Sequence, residues 1–192
     1  MKKLIVSLAS CSLLFASPTS AQSNSDSDPE FQHDAPAYWT NGGWTVYKYP
    51  DEKSCDLAAQ TANGEDITIA YAADRGYVAL IVTNHHAKSL DNTQRVALDV
   101  VFLDDKTISS MRKGLMFTAN SQGQDGSVLV SDNLDQAFLR SVAGSKLMAV
   151  MKGETFVAGV NLTGSSGAVA QLVKCSEHMG GVDPKDPFVE HP

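Results

Sequence analysis

Two cysteines, Cys55 and Cys175, carry the clearest covalent chemistry in this chain, because their pairing depends on where the protein resides. A third, Cys11, lies in a stretch with the order of a secretory leader. Met1-Lys2-Lys3 is a basic start, Leu4 to Phe15 is an apolar run, and Pro18-Thr19-Ser20-Ala21 offers small residues before Gln22. Leu8-Ala9-Ser10-Cys11 looks like a lipobox, yet the apolar run continues past it through Leu13, Leu14 and Phe15. Cleavage is therefore expected after Ala21, with Cys11 removed. Two cysteines in an oxidising compartment predict a Cys55–Cys175 bridge. It would close a loop of 119 intervening residues and stabilise by about 5 kcal/mol in the chain-entropy picture.

Other residues match catalytic patterns in part. Ser110-Met111-Arg112-Lys113 fits S-x-x-K, and Ser131-Asp132-Asn133 fits S-D-N, two of three signatures of penicillin-binding enzymes. No K-T-G follows, the chain is short for that fold, and Ser131 has a sufficient role as a helix cap. His85-His86 would ligate one ion only from a loop, since strand neighbours point to opposite faces. With no further ligand at metal spacing it reads as a hairpin end. His178-Met179 is a lone soft pair. Asp104-Asp105 after a strand reads as turn chemistry. Gly164-Ser165-Ser166-Gly167 misses G-x-S-x-G by one position and reads as the start of a helix. Asn161-Leu162-Thr163 is a glycosylation pattern that carries no information behind a bacterial-type leader. No catalytic residue, metal ligand or cofactor is assigned. Tyr38, Trp39, Trp44, Tyr47 and Tyr49 form an aromatic cluster that could anchor an interface. Alternation puts Trp44 and Val46 on one strand face and Tyr47 and Tyr49 on the other, so part of it belongs to the core.

These residues need a scaffold, and composition limits what it is. Net charge is −7, and −9 without the leader's two lysines. That balance argues against nucleic acid and anionic lipid, which call for a basic surface. No apolar run reaches the roughly 20 residues that span a bilayer, so the chain is not expected to cross a membrane. Residues 22–37 are rich in Ser, Asp and Pro and are predicted to be disordered. Residues 176–192, with Gly180-Gly181 and three prolines, are expected to form a flexible tail. The domain is then 38–175.

Strand patterns dominate that domain. Trp44–Tyr49 is aromatic and β-branched, and Ile67, Ile69 and Tyr71 alternate with smaller residues. Val78, Leu80 and Val82 do likewise, as do Val96, Leu98, Val100 and Phe102. Asp74-Arg75-Gly76 and Lys152-Gly153-Glu154 suit hairpins. Further strands are predicted over 114–119, 127–130, 146–151 and 156–162. A helix over 132–142 is predicted, capped by Ser131, with Leu134, Ala137, Phe138 and Val142 inward. A second starts near Ser165 or Ser166 and aligns Ala168, Leu172 and Cys175 on one face. The fold class is mainly β, a β-sandwich-like domain with two short α-helices and one disulfide.

The last third supplies a resemblance. Phe138-Leu139, Gly144 to Val150, a strand through Val157, then Leu162-Thr163-Gly164-Ser165, Ala168, Leu172 and Cys175 follow one another. This resembles the C-terminal part of invasion-associated locus B-type periplasmic proteins, and is similar to accessory lipoproteins associated with type VI secretion. It covers about 45 residues; Trp44 and Cys55 are the matches in the N-terminal half. It implies a small β-sandwich and an accessory role in the envelope, with no catalytic residues to carry over. The expectation is therefore an exported, periplasmic or secreted protein that binds or supports another protein without catalysis. The rival expectation is a periplasmic domain that binds a small molecule, glycan or metal. A broad apolar patch would favour the first, and a pocket with converging polar groups the second.

Overall fold

The computed structural model describes residues 35–59, 61 and 65–180. The leader at 1–21, Cys11, nearly all of segment 22–37 and the tail beyond Gly180 lie outside the described residues.

Ten strands form one antiparallel sheet: β1 Ala37–Asn41, β2 Trp44–Tyr49, β3 Ser54–Ala59, β4 Glu65–Ala72, β5 Tyr77–Asn84, β6 Arg95–Asp104, β7 Thr107–Ser121, β8 Ser127–Leu134, β9 Leu147–Lys152 and β10 Thr155–Asn161. Their order is β1-β2-β3-β4-β5-β8-β7-β6-β9-β10. Strands β1 to β5 pair in chain order as a meander. The meander β6-β7-β8 then docks by its last strand on β5 and by its first on β9. The sheet folds over until β10 meets β4 and β5, where the Asn84 side-chain amide donates to the Val157 carbonyl (2.6 Å). The fold is mainly β and sandwich-like, with two helices and a disulfide, as the sequence predicts.

The inner face carries the core. Val46, Leu57, Ile69, Leu80, Phe102, Phe117, Leu129 and Val150 are fully buried on it, and Phe138 meets Phe102 edge to face at 5.5 Å. Helices α1 (Gln136–Gly144) and α2 (Ser165–Gly180) pack together, and α2 covers β2, β3 and β4. Ala168, Leu172 and Cys175 are all buried, the inward row expected from their spacing. Cys175 bonds to Cys55 on β3 (S–S 2.08 Å). Ser165 donates to the Val142 carbonyl (2.7 Å), and Ser176 accepts from the Ala73 amide (2.7 Å), so α2 is held at both ends.

Three expectations are corrected. Helix α1 starts at Gln136, not 132, because β8 continues to Leu134 with Leu134 paired to Val78. Its cap is Asp135, whose carboxylate accepts from the Phe138 amide (3.0 Å); Ser131 is a buried strand residue. Helix α2 runs five residues past Cys175, so Ser176 to Gly180 belong to the fold and the boundary at 175 falls inside a helix. Helical continuation satisfies the carbonyls that a stop at Cys175 would leave unpaired.

Candidate functional site

Strands β7, β6, β9 and β10 lie side by side, and their register decides what the outer face presents. Ile108, Leu103 and Leu147 form one row across β7, β6 and β9. Met111, Val101, Ala149 and Gly159 form the next. Met151 and Phe156 make a third on β9 and β10, and Met116 beside Ala97 extends the face along β7 and β6. Their chain neighbours Leu98, Val100, Phe102, Met148, Val150 and Val160 point inward and are buried. The outer rows are thus largely apolar, with Asp99 beside Met151 in the third, and Val101 and Ala149 of the second are buried among the larger side chains around them.

The uncovered face is apolar to an unusual degree. Ile108 is 54% exposed and Phe156 52%, and Met111, Met116 and Leu147 are exposed as well. Among the described residues only Tyr38 joins them as a large exposed apolar side chain. Soluble monomers rarely leave such groups contiguous, and methionine side chains adapt to a partner's shape. The Phe156 ring lies over bare Gly159, where an added Cβ would come within 2.9 Å of it. That ring is therefore braced in place. Lys146 pairs with Asp105 (2.7 Å) at one end of the face, and the Lys152–Glu154 turn closes the other. The Lys146 pKa is raised by its hydrogen bond to Asp105.

A bulge interrupts the β6–β7 pairing beside this face. Lys113-Gly114 stands opposite Asp99, Gly114 has φ +63°, and its amide donates to the Asp99 carboxylate (2.7 Å). Ser110 and Lys113 lie three apart on this strand, so they take opposite faces, and the Ser110 hydroxyl donates to Ser141 (3.4 Å). Arg112, between them, pairs with Asp135 (2.7 Å), and that hydrogen bond holds the Asp135 carboxyl below the ordinary carboxylate range.

The remaining sequence candidates fall elsewhere. Trp44 is buried, with its indole N–H donating to the Thr163 carbonyl (3.1 Å), so it serves the core. Tyr38 and Trp39 sit on edge strand β1, while Tyr47 and Tyr49 are half-buried on β2. The cluster is thus divided between the core, the edge and the far end of the sheet from the apolar face. His85-His86 does form a loop; His85 Nδ1–H donates to the Asp125 carbonyl (2.9 Å). His178 lies in α2 and donates to the Lys174 carbonyl (2.5 Å). Asp105 holds the β6–β7 turn with φ +55°. Among the described residues no three His, Cys, Asp or Glu side chains converge as a metal site, and no helix is long and apolar enough to cross a membrane.

One acid departs from its ordinary behaviour. Asp56, on the outer face of β3 between Tyr47 and Ala70, has its pKa raised to about 7, by burial first and by nearby Glu52 second. Sequence reading missed both Asp56 and the apolar face. The face did leave a trace: Leu147 to Met151 is unbroken apolar sequence, and Val96 to Leu103 admits only Asp99.

No protein-family model, curated protein or solved structure matches this chain.

Proposed function

We propose that this chain is an exported bacterial envelope protein whose outer sheet face, centred on Ile108, Met111, Leu147 and Phe156, binds another protein without catalysis. The observation that carries the proposal is the coincidence of exposed apolar rows on four adjacent strands whose inner faces are already filled. A fold gains nothing from that surface alone, and burying it against a partner releases the water that covers it. The leader-like order of residues 1–21 supports export. The buried disulfide is in keeping with an oxidising space such as the periplasm. The resemblance of the last third to invasion-associated locus B-type and type VI secretion accessory proteins points to the same accessory role.

The test is cross-linking and capture from the native envelope with the wild-type chain and with Ile108→Lys/Leu147→Lys. Both side chains are solvent-facing, so each change is expected to alter stability by no more than about 0.5 kcal/mol. A partner held by the wild type and lost by the variant is the expected result. Identical captured sets, with matching melting curves, would exclude this face. Intact mass of the exported form, with and without reductant, tests leader removal and the bridge in one measurement.

A further inference from the structure

Helices α1 and α2 leave a groove of about 280 Å³ between them, on a different part of the molecule from the apolar sheet face. Leu139 and Ala143 form one wall, and Val169 and Val173 the other. Tyr71 lies at its base, with its hydroxyl accepting from the Gln136 amide across 3.5 Å. That bond is long, so both groups can pair anew with something in the groove. Arg140 of α1 and Glu177 of α2 also line it. Both are solvent-facing, and neither makes an ion pair or hydrogen bond with another described residue. Among the described residues, one unpaired cation and one unpaired anion thus flank apolar walls in a space just under the roughly 300 Å³ where drug-sized ligand pockets begin.

We propose that this groove binds a small zwitterion with an apolar body, of the size of one free amino acid with a large side chain. The Arg140 guanidinium takes the carboxylate, in the bidentate geometry that group favours. Glu177 takes the ammonium. The side chain lies between Leu139, Val169 and Val173, and Tyr71 and Gln136 complete the polar contacts. Charge complementarity selects this occupant: a zwitterion adds an ion pair at each end of the groove, a singly charged ligand adds one, and a purely apolar ligand adds none. The site is independent of the protein-binding face and stands or falls without it.

Calorimetric titration of the oxidised full chain tests it with three probes: L-phenylalanine, N-acetyl-phenylalanine, which lacks the cation, and phenylalanine amide, which lacks the anion. Saturable binding of phenylalanine is expected, with each derivative at least tenfold weaker. Arg140→Gln should erase the preference over the amide, and Glu177→Gln the preference over the acetyl form. Both residues are exposed and pair with no other described residue, so the variants should keep the wild-type circular dichroism and melting curve. Equal affinity for all three probes overturns the proposal and marks the groove as a seat for an apolar protein side chain. So does the absence of saturable binding of phenylalanine up to millimolar concentration.

Discussion

Asp56 is costly where it stands. Its carboxyl titrates near 7 in the fold and near the ordinary 3.8 in the unfolded chain. Between those values the unfolded chain sheds its proton while the folded one keeps it, so stability falls as pH rises through the interval and levels off above 7. The loss is at most about 4 kcal/mol. Asp56→Asn should therefore melt close to wild type at pH 4 and clearly higher at pH 8; an equal offset at both would mean the carboxyl titrates normally. Asp135 has the opposite sign. Its lowered pKa adds stability above the ordinary carboxylate range, which is lost as pH falls through the folded value. Asp135→Ala should cost about 1 kcal/mol in urea unfolding at pH 7, mostly from the lost cap. At this scale the sequence was legible where chemistry is local. Cys55 and Cys175 were found by parity and compartment. The cap was placed at Ser131 and not at Asp135, because Ser131-Asp132-Asn133-Leu134-Asp135 holds several competent caps and only the β5–β8 pairing chooses among them.

Elements were legible where a turn or a period announces them. The β4–β5 and β9–β10 hairpins fall at Gly76 and Gly153, both with positive φ. Strands β1 and β3 were not foreseen; β3 reads Ser-Cys-Asp-Leu-Ala-Ala, too weak in β-formers to stand out, and it exists because β2 and β4 flank it. The apolar face escaped for a related reason: a strand apolar on both sides reads as doubly buried, and the sequence does not say that one layer is missing. Gly126 marks another place where an element depends on a neighbour. Its φ is +100°, and an added Cβ would lie 2.2 Å from the Asn84 carbonyl oxygen, where β8 begins beside the end of β5. Gly126→Ala is expected to destabilise by about 3 kcal/mol or more, because the three nearest atoms, of Asn84 and His85, are all backbone and cannot swing aside. A thermal shift below a few degrees would show that the β5–β8 junction relaxes.

The whole molecule is organised by one long closure. The disulfide joins β3 to α2 across a separation of 120 residues, and both cysteines are fully buried. Cys55→Ser/Cys175→Ser should lose about 5 kcal/mol in the chain-entropy limit, read by urea unfolding of the oxidised and bridge-less forms. Loss of less than about 1 kcal/mol would mean that packing of α2 alone fixes the ends. The sheet's two margins differ in kind. Strand β10 rests on β4 and β5 with Asn84 hydrogen-bonded to it, while β1 is a five-residue strand with a bulge. Polymerisation by strand addition needs two open borders on every subunit. At β10 the Val157 carbonyl is already taken by Asn84, so a strand added at that border would first have to displace this bond.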